Sequence, residues 1–154
     1  MQLTNAARQL KQRNIPFTFH TYVVDPSDVS ASHVAASMGK PVDQLYKTIC
    51  LESEQKRHAF FLISGDRDID FKAAAKAWGV KKVTPVPMKE LEALTGYIRG
   101  GVSPIGAKKA FPVFLHDSAK EKATIIISAG KRGAQLELTP DDLLRFTNGR
   151  WFTQ

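Results

Sequence analysis

Apolar residues recur along the chain with the two spacings of regular secondary structure. Leu3, Ala6, Ala7 and Leu10 share one helical face, and Asn14 followed by Pro16 ends that helix. The same reasoning, with capping and turn residues, predicts helices at 3–13, at a short segment capped by Ser30 or Ser32 and reaching Met38, and at 71–78, 87–94 and 141–147. Alternation and short apolar runs predict strands at 17–22, 45–51, 58–64, 82–86, 111–115, 124–128 and 135–138.

The order of these elements favours an α+β fold. Several strands follow one another through short turns such as the polar segment 52–56, whereas a parallel array would alternate strand and helix. With 154 residues and no repeat or linker-like stretch, the chain is expected to form a single domain, 1–154. We therefore expect a mostly antiparallel sheet flanked by helices.

The net charge of the chain indicates which kind of partner it could bind. Lys and Arg number 22 against 15 Asp and Glu, a net charge of +7 with a pI near 9.6. Excess positive charge attracts polyanions and speeds their encounter. A basic protein without such a partner is the alternative that charge alone leaves open.

Composition also indicates where the protein works. No stretch approaches the length of a membrane span, and residues 1–14 do not have the layout of a signal peptide. A single cysteine, Cys50, cannot form an internal disulfide, which fits a reducing compartment. We expect a cytoplasmic monomer with no membrane association.

Common catalytic patterns are missing from the sequence. The glycine-rich segment 100–106 lacks the P-loop ending and the dinucleotide fingerprint, and there is no GxSxG motif. Cys50 lies in an apolar strand, where a small buried residue is commoner than a nucleophile. We expect no metal and no cofactor, because the histidines lack zinc-site spacing: His20, His33, His58 and His116.

Three short motifs resemble one family when they are taken together. They are Tyr46-Lys47-Thr48, the run Gly100-Gly101-Val102-Ser103-Pro104-Ile105-Gly106 with Lys108-Lys109, and Ser128-Ala129-Gly130-Lys131-Arg132-Gly133. Their order and spacing are similar to the YbaK/EbsC family and to the inserted editing domain of bacterial prolyl-tRNA synthetases. His20-Thr21-Tyr22 and Thr95-Gly96-Tyr97 add to a likeness that runs from about residue 3 to residue 144.

The resemblance implies a fold and an activity. The expected sheet is curved and barrel-like, as in the family, and the expected activity is removal of wrongly attached amino acids from tRNA, above all cysteine from tRNA(Pro). In the family's proposed route the substrate's own thiol attacks its ester carbonyl. The expected partner is the acceptor end of mischarged tRNA, with prolyl-tRNA synthetase as a further candidate. A water-based deacylase for alanine, serine or threonine and a non-catalytic module that binds tRNA or a synthetase remain as alternatives.

Lys47 is the first catalytic residue that the resemblance implies. On a strand it shares a face with Ile49 and Leu51, where a lysine is costly unless its ammonium meets an anion or a carbonyl dipole. The phosphate and ester of a tRNA acceptor end supply both. The alternative is a lysine whose stem packs while its ammonium reaches water.

Gly101 is the second, because backbone amides near it would donate to the ester carbonyl as negative charge develops. The alternative for the glycine-rich segment is an irregular connecting loop. For the pairs Lys108-Lys109 and Lys131-Arg132 the alternative is a solvated surface. Tyr22 would either stack on the terminal adenine or pack in the core. The resemblance implies substrate-binding roles for Tyr22, Tyr46, Thr48, Gly100, Ser103, Pro104, Ser128 and Gln135, and tRNA-binding roles for Lys108, Lys109, Lys131 and Arg132.

Three positions depart from well-known YbaK members. Those members have glycine where this chain has Ala129, and aspartate where it has Gln135. An aromatic residue about nine positions after Tyr22 in those members falls on Ala31. Such changes bear on which amino acid is edited more than on the class of reaction.

Overall fold

The computed structural model describes residues 3–154, so the first two residues of the expected domain 1–154 lie outside it. The described chain contains five α-helices and eight strands. The helices are α1 Asn5–Gln12, α2 Ala31–Met38, α3 Phe71–Trp78, α4 Met88–Thr95 and α5 Pro140–Thr147. The strands are β1 Thr18–Thr21, β2 Tyr46–Ser53, β3 His58–Ser64, β4 Val83–Pro85, β5 Val113–His116, β6 Ile125–Lys131, β7 Ala134–Leu138 and β8 Arg150–Phe152.

Local chemistry explains where the helices begin and end. Ser30 caps α2 by accepting from the amide of His33, and Asp70 caps α3 by accepting from two amides of the first turn. Gly39 and Gly79 follow these helices in the left-handed conformation, which glycine adopts without strain. The predicted caps and ends of α2 and α3 are confirmed.

The strands form two sheets that stay open. A three-stranded sheet has the order β1-β7-β6, and a five-stranded sheet has the order β4-β2-β3-β5-β8. Four of the neighbouring pairs are antiparallel, and only β3–β5 and β5–β8 are parallel. The sheets meet at a parallel bridge between Leu45 and Ile126 rather than closing into a barrel. The α+β, mostly antiparallel prediction is confirmed.

Strand β8 was not predicted from the sequence. It has only three residues and follows Gly149 directly after the last helix, so its local pattern is too short to be distinctive. It forms because Phe152 packs edge-on against Phe61, with the ring centroids 5.2 Å apart, while the backbone pairs with β5. Tertiary packing therefore decides this element.

The two faces of β2 and β3 contact different cores. Tyr46 and Cys50 face the larger core, which α1 and the three-stranded sheet complete. Leu51 and Phe61 face a smaller core beneath α3. Alternate residues of β2 thus face two different cores, and the strand lies between them.

We expect the smaller core to depend on Phe61. Its ring is fully buried and stacks on Phe114 with centroids 4.6 Å apart. Phe61→Ala is expected to lower the free energy of unfolding by about 3–5 kcal/mol, because it removes buried apolar area and leaves a cavity. Urea denaturation measures this, with Phe71→Ala as the control, since Phe71 is 42% exposed. Equal losses for the two variants would contradict the packing described here.

Candidate functional site

A gap beside strand β2 forms the floor of the candidate site. On one side β2 pairs with β3 from Tyr46 to Glu52, but on the other side β4 reaches only residues 51–53. The amide of Val86 extends this pairing by donating to the carbonyl of Cys50. Strand residues direct their backbone groups to alternate sides, so Thr48 directs its N–H and C=O to the same side as Cys50, into the gap.

A cavity of about 600 Å³ lies over this gap. Its walls come from the segment before α2, from β4 and α4, from the glycine-rich segment, and from the sheet that contains β6 and β7. Six of the predicted catalytic and substrate-binding residues line it: Tyr46, Lys47, Thr48, Gly100, Ser128 and Gln135. Segments that are distant in the sequence therefore meet at one place.

Thr48 carries an unsatisfied polar atom in this cavity. Its Oγ1 is buried and has no hydrogen-bond partner among the described residues. Buried hydroxyl groups are nearly always hydrogen-bonded, and an exception calls for a functional explanation. The backbone N–H and C=O of Thr48, which β4 leaves unpaired, add one donor and one acceptor at the gap.

The charged residues around the cavity are all basic. Lys47 and Arg99 line it, and none of the lining residues is acidic. Arg132 lies beside them, donating from Nε to the carbonyl of Arg99 at 2.9 Å. Such a lining favours an anionic ligand, and a low-dielectric cavity strengthens that preference.

The glycine-rich segment approaches the cavity through a tight turn. Gly100 has a φ of +86°, which strains any other residue, and a Cβ here would lie 3.2 Å from Val29. Gly101 does not line the cavity; its amide donates to the carbonyl of Ile98 at 2.9 Å. Of this segment, Gly100 and Val102 line the cavity. An oxyanion donor at Gly101 would require this turn to open.

Three further predicted residues lie outside the cavity wall. Ser103 is fully buried and its Oγ accepts from the amide of Ile105 at 3.2 Å. Pro104 is buried beside it. Tyr22 is half-buried and packs against a small core under α2. The structure thus assigns these three side chains to local packing and not to the cavity wall.

The two predicted basic pairs lie on different segments, Lys108-Lys109 after α4 and Lys131-Arg132 at the end of β6 and the turn that follows. Lys131 is exposed, and its backbone supports the glycine turn, because a Cβ on Gly101 would lie 3.1 Å from the Lys131 Cα. Lys108 and Lys109 are exposed, and Lys108 Nζ donates to the carbonyl of Ala93 on α4 at 3.4 Å. The exposed side chains of Lys109 and Lys131 can reach a phosphate. Lys108 is held by its contact with Ala93, and Arg132 by its contact with Arg99.

Two of the three departures from the family pattern line the cavity. Gln135 is 4% exposed and Ala31 forms part of the wall, whereas Ala129 is buried in the larger core. A neutral amide at Gln135 makes the cavity less acidic than an aspartate would. These two positions set part of the size and polarity of the cavity.

Hydrogen bonds of the Tyr46 side chain fix the start of β2. Its hydroxyl lies 2.7 Å from Ser118 Oγ, which in turn lies 2.8 Å from His116 Nδ1. The amide of Ser118 also donates to His116 Nδ1, so the imidazole proton lies on Nε2. Burial lowers the pKa of His116 and raises that of Tyr46, so both stay neutral near pH 7. This network holds the backbone next to Lys47.

Cys50 lines the cavity but is poorly suited to attack a substrate. Its side chain is 5% exposed, on the opposite face of β2 from Lys47. Burial, followed by the charge of Glu52, raises the pKa of its thiol to about 12. Thiols react as thiolates, so this environment disfavours attack by Cys50 near neutral pH.

Sequence reasoning missed Arg99, Ser30 and Met88 as cavity residues. Arg99 directly precedes the two glycines, and this adjacency was the one available signal. Its guanidinium contacts the sulfur of Met88 at 3.7 Å, which joins the glycine turn to α4.

Two further searches of residues 3–154 bear on the expected partners. No helix there is long and apolar enough to cross a membrane. In the same range no three His, Cys, Asp or Glu side chains are grouped so that they could hold a metal ion.

Comparison with known proteins places this cavity in a family context. The family model described as "Aminoacyl-tRNA editing domain" matches residues 25–146. The chain is 42% identical over 150 residues to an Enterococcus faecalis protein named "Putative Cys-tRNA(Pro)/Cys-tRNA(Cys) deacylase EbsC", covering 97% of this chain and 92% of that protein. It is also 30% identical over 110 residues to the proline–tRNA ligase of Sulfurihydrogenibium sp., covering 71% of this chain and 19% of that enzyme.

A solved structure supports the fold. The crystal structure described as "a putative trans-editing enzyme for prolyl tRNA synthetase" superimposes with a TM-score of 0.80, at 23% identity and 99% coverage of both chains. The chain belongs to the aminoacyl-tRNA editing domain family. Within that family it groups with the YbaK/EbsC proteins and is related to the editing domain of prolyl-tRNA synthetases.

The rate at which the Cys50 thiol reacts with a disulfide reagent tests this description of the site. In the folded protein at pH 8 we expect its thiol to react with a disulfide reagent far more slowly than in denatured protein, because its pKa of about 12 leaves almost no thiolate. Absorbance of the released thiol follows the reaction. Rapid reaction of the folded protein near neutral pH would mean that Cys50 is activated.

Proposed function

We propose that the protein acts in trans to deacylate mischarged tRNA, with Cys-tRNA(Pro) as its substrate. Cleavage proceeds by attack of the substrate's own thiol. The observation that carries the proposal is a basic cavity with an unsatisfied Thr48 hydroxyl and a protonated Cys50 as its only thiol. Such a site can bind and position an ester but offers no activated cysteine of its own.

The reaction balances without a protein nucleophile. The substrate sulfur forms a bond to its own carbonyl carbon, the ester bond to the terminal ribose breaks, and the thiol proton ends on the released ribose oxygen. The products are a thiolactone and free tRNA. Held in one orientation, such an intramolecular attack gains much of the rate that positioning supplies.

Lys47 and Arg99 take the anionic part of the substrate. In this proposal their positive charges hold the phosphate of the terminal nucleotide, while the polar groups of Thr48 contact the aminoacyl group. Negative charge that develops on the carbonyl oxygen is stabilised by donors already fixed in place, which is where such sites gain most of their catalysis. The amides of the glycine-rich segment nearest the cavity, at Gly100 and Val102, are the candidates for this role.

A water-based deacylase is the second candidate, because Gln135 and Ala31 depart from the family pattern inside the cavity. The test is a panel of tRNA(Pro) charged with cysteine, serine or alanine, following loss of each amino acid. We expect the cysteinyl ester to react fastest, since serine and alanine lack the thiol. Equal rates for cysteine and serine would support water as the nucleophile. Binding without loss of any amino acid would support a non-catalytic module.

Substitution of Lys47 tests its assigned role. Lys47→Ala is expected to lower the rate of deacylation by about 10²-fold or more, the order seen when one fixed stabilising group is removed. Lys72→Ala removes an exposed lysine of α3 outside the cavity and serves as the matched control. Cys50→Ala should keep most activity. A folded Lys47→Ala protein with the original rate would contradict the assignment, and an inactive, folded Cys50→Ala protein would make Cys50 a nucleophile.

A further inference from the structure

A second cluster of cations lies at the far end of β2. The turn between β2 and β3 carries Lys56 and Arg57, and the segment before β4 carries Lys81 and Lys82. All four residues are exposed. We call these four residues the basic tip. None of them belongs to the motifs that the family resemblance singled out.

Specific contacts hold the two segments of the tip together. Glu54 Oε1 accepts from the amides of Lys81 and Lys82 at 3.0 and 3.2 Å. The guanidinium of Arg57 lies 5.9 Å from the ring centre of Trp78, at the end of α3. The four cations therefore belong to one fixed surface rather than to two independent loops.

The tip keeps a positive balance after its carboxylates are counted. Glu52 lies 3.3 Å from Lys56 and also contacts His58, so it neutralises part of that charge. Glu54 is occupied by backbone amides. Four basic side chains against two carboxylates leave an excess of about two charges, and the lysines at 81 and 82 have no acidic side chain within ion-pair distance in the described chain.

The edge strand β4 connects the tip to the cavity. Lys82 comes immediately before β4, and Pro85 at its end lines the cavity. Three residues of strand span about 10 Å. Beyond Pro85, the cavity continues to Met88 and then to Arg99. An extended anion that enters the cavity can therefore follow the edge of the sheet to the tip.

We propose that the basic tip binds the sugar-phosphate backbone of tRNA next to the aminoacylated end held in the cavity. The inference rests on the proposed function, because that function places the end of the tRNA in the cavity. A nucleic-acid strand carries a charge every few ångströms, so phosphates lie within reach of Lys81 and Lys82. Lysine contacts to phosphate position the RNA without reading its sequence, as an editing protein outside a synthetase requires.

Removal of charge at the tip tests the proposal. Lys81→Gln/Lys82→Gln keeps the backbone contacts to Glu54 and removes two cations. Uncharged tRNA is titrated at several salt concentrations, and the slope of log affinity against log salt is expected to fall by about one per lysine. Arg57→Gln is a second variant, and thermal melting checks that each one folds.

The matched control is Lys11→Gln/Lys120→Gln, which removes two exposed lysines from α1 and from the loop after β5. It should keep the original slope. If the slope falls equally in the control, the proposal for the basic tip is overturned, because overall positive charge would then explain the binding. Loss of binding to prolyl-tRNA synthetase with tRNA binding unchanged would assign the tip to a protein partner instead.

A short substrate separates this inference from the proposed function. Cleavage of a cysteinyl ester on adenosine 5′-monophosphate, the terminal nucleotide alone, does not involve the tip, so the double variant should cleave it at the original rate while kcat/KM for full tRNA falls. If the unaltered protein cleaves neither substrate, the proposed function fails, and the tRNA titration still decides the tip. If the unaltered protein cleaves both substrates and the double variant has the same kcat/KM for full tRNA, the proposal for the basic tip fails while the proposed function stands.

Discussion

Strand β2 is paired along its whole length on one side and only near its ends on the other, and the cavity depends on that difference. Toward the gap the ladder stops at Cys50, because Met88, which would pair next with Thr48, is already the first residue of α4. The opposite end is fixed by the bridge at Leu45. Between these two points the backbone of Thr48 is left for a ligand. A longer β4 would fill the place where the substrate is proposed to bind.

The sequence predicted well what local chemistry decides. The caps at Ser30 and Asp70 and the alternation of β2 follow from neighbouring residues alone. That alternation also placed Cys50 on the core side of β2, away from Lys47. Strand β8 and the cavity role of Arg99 depend on contacts between distant segments, so no local pattern could predict them.

The glycine-rich segment shows where resemblance and geometry differ in detail. The resemblance pointed to Gly101, but its amide closes the turn that Gly100 makes possible through its positive φ. The turn rests against the backbone of Lys131, so the last of the three motifs supports the second. Motifs that are separate in the sequence are thus parts of one wall, which explains why each is weak alone and informative together.

The arrangement assigns binding and chemistry to different parts of the site. In the proposed function, cations at the cavity and along the edge of the sheet attract phosphate, while the neutral polar groups at Thr48 and Gln135 face the smaller aminoacyl group. A thiolate on the protein would compete with the substrate's own sulfur, and burial prevents one by raising the pKa of Cys50. Tyr46, held by Ser118, keeps the strand in place beneath the position proposed for the ester. An ester that carries its own nucleophile needs little more than to be held in one orientation, and a rigid strand with one open edge provides that.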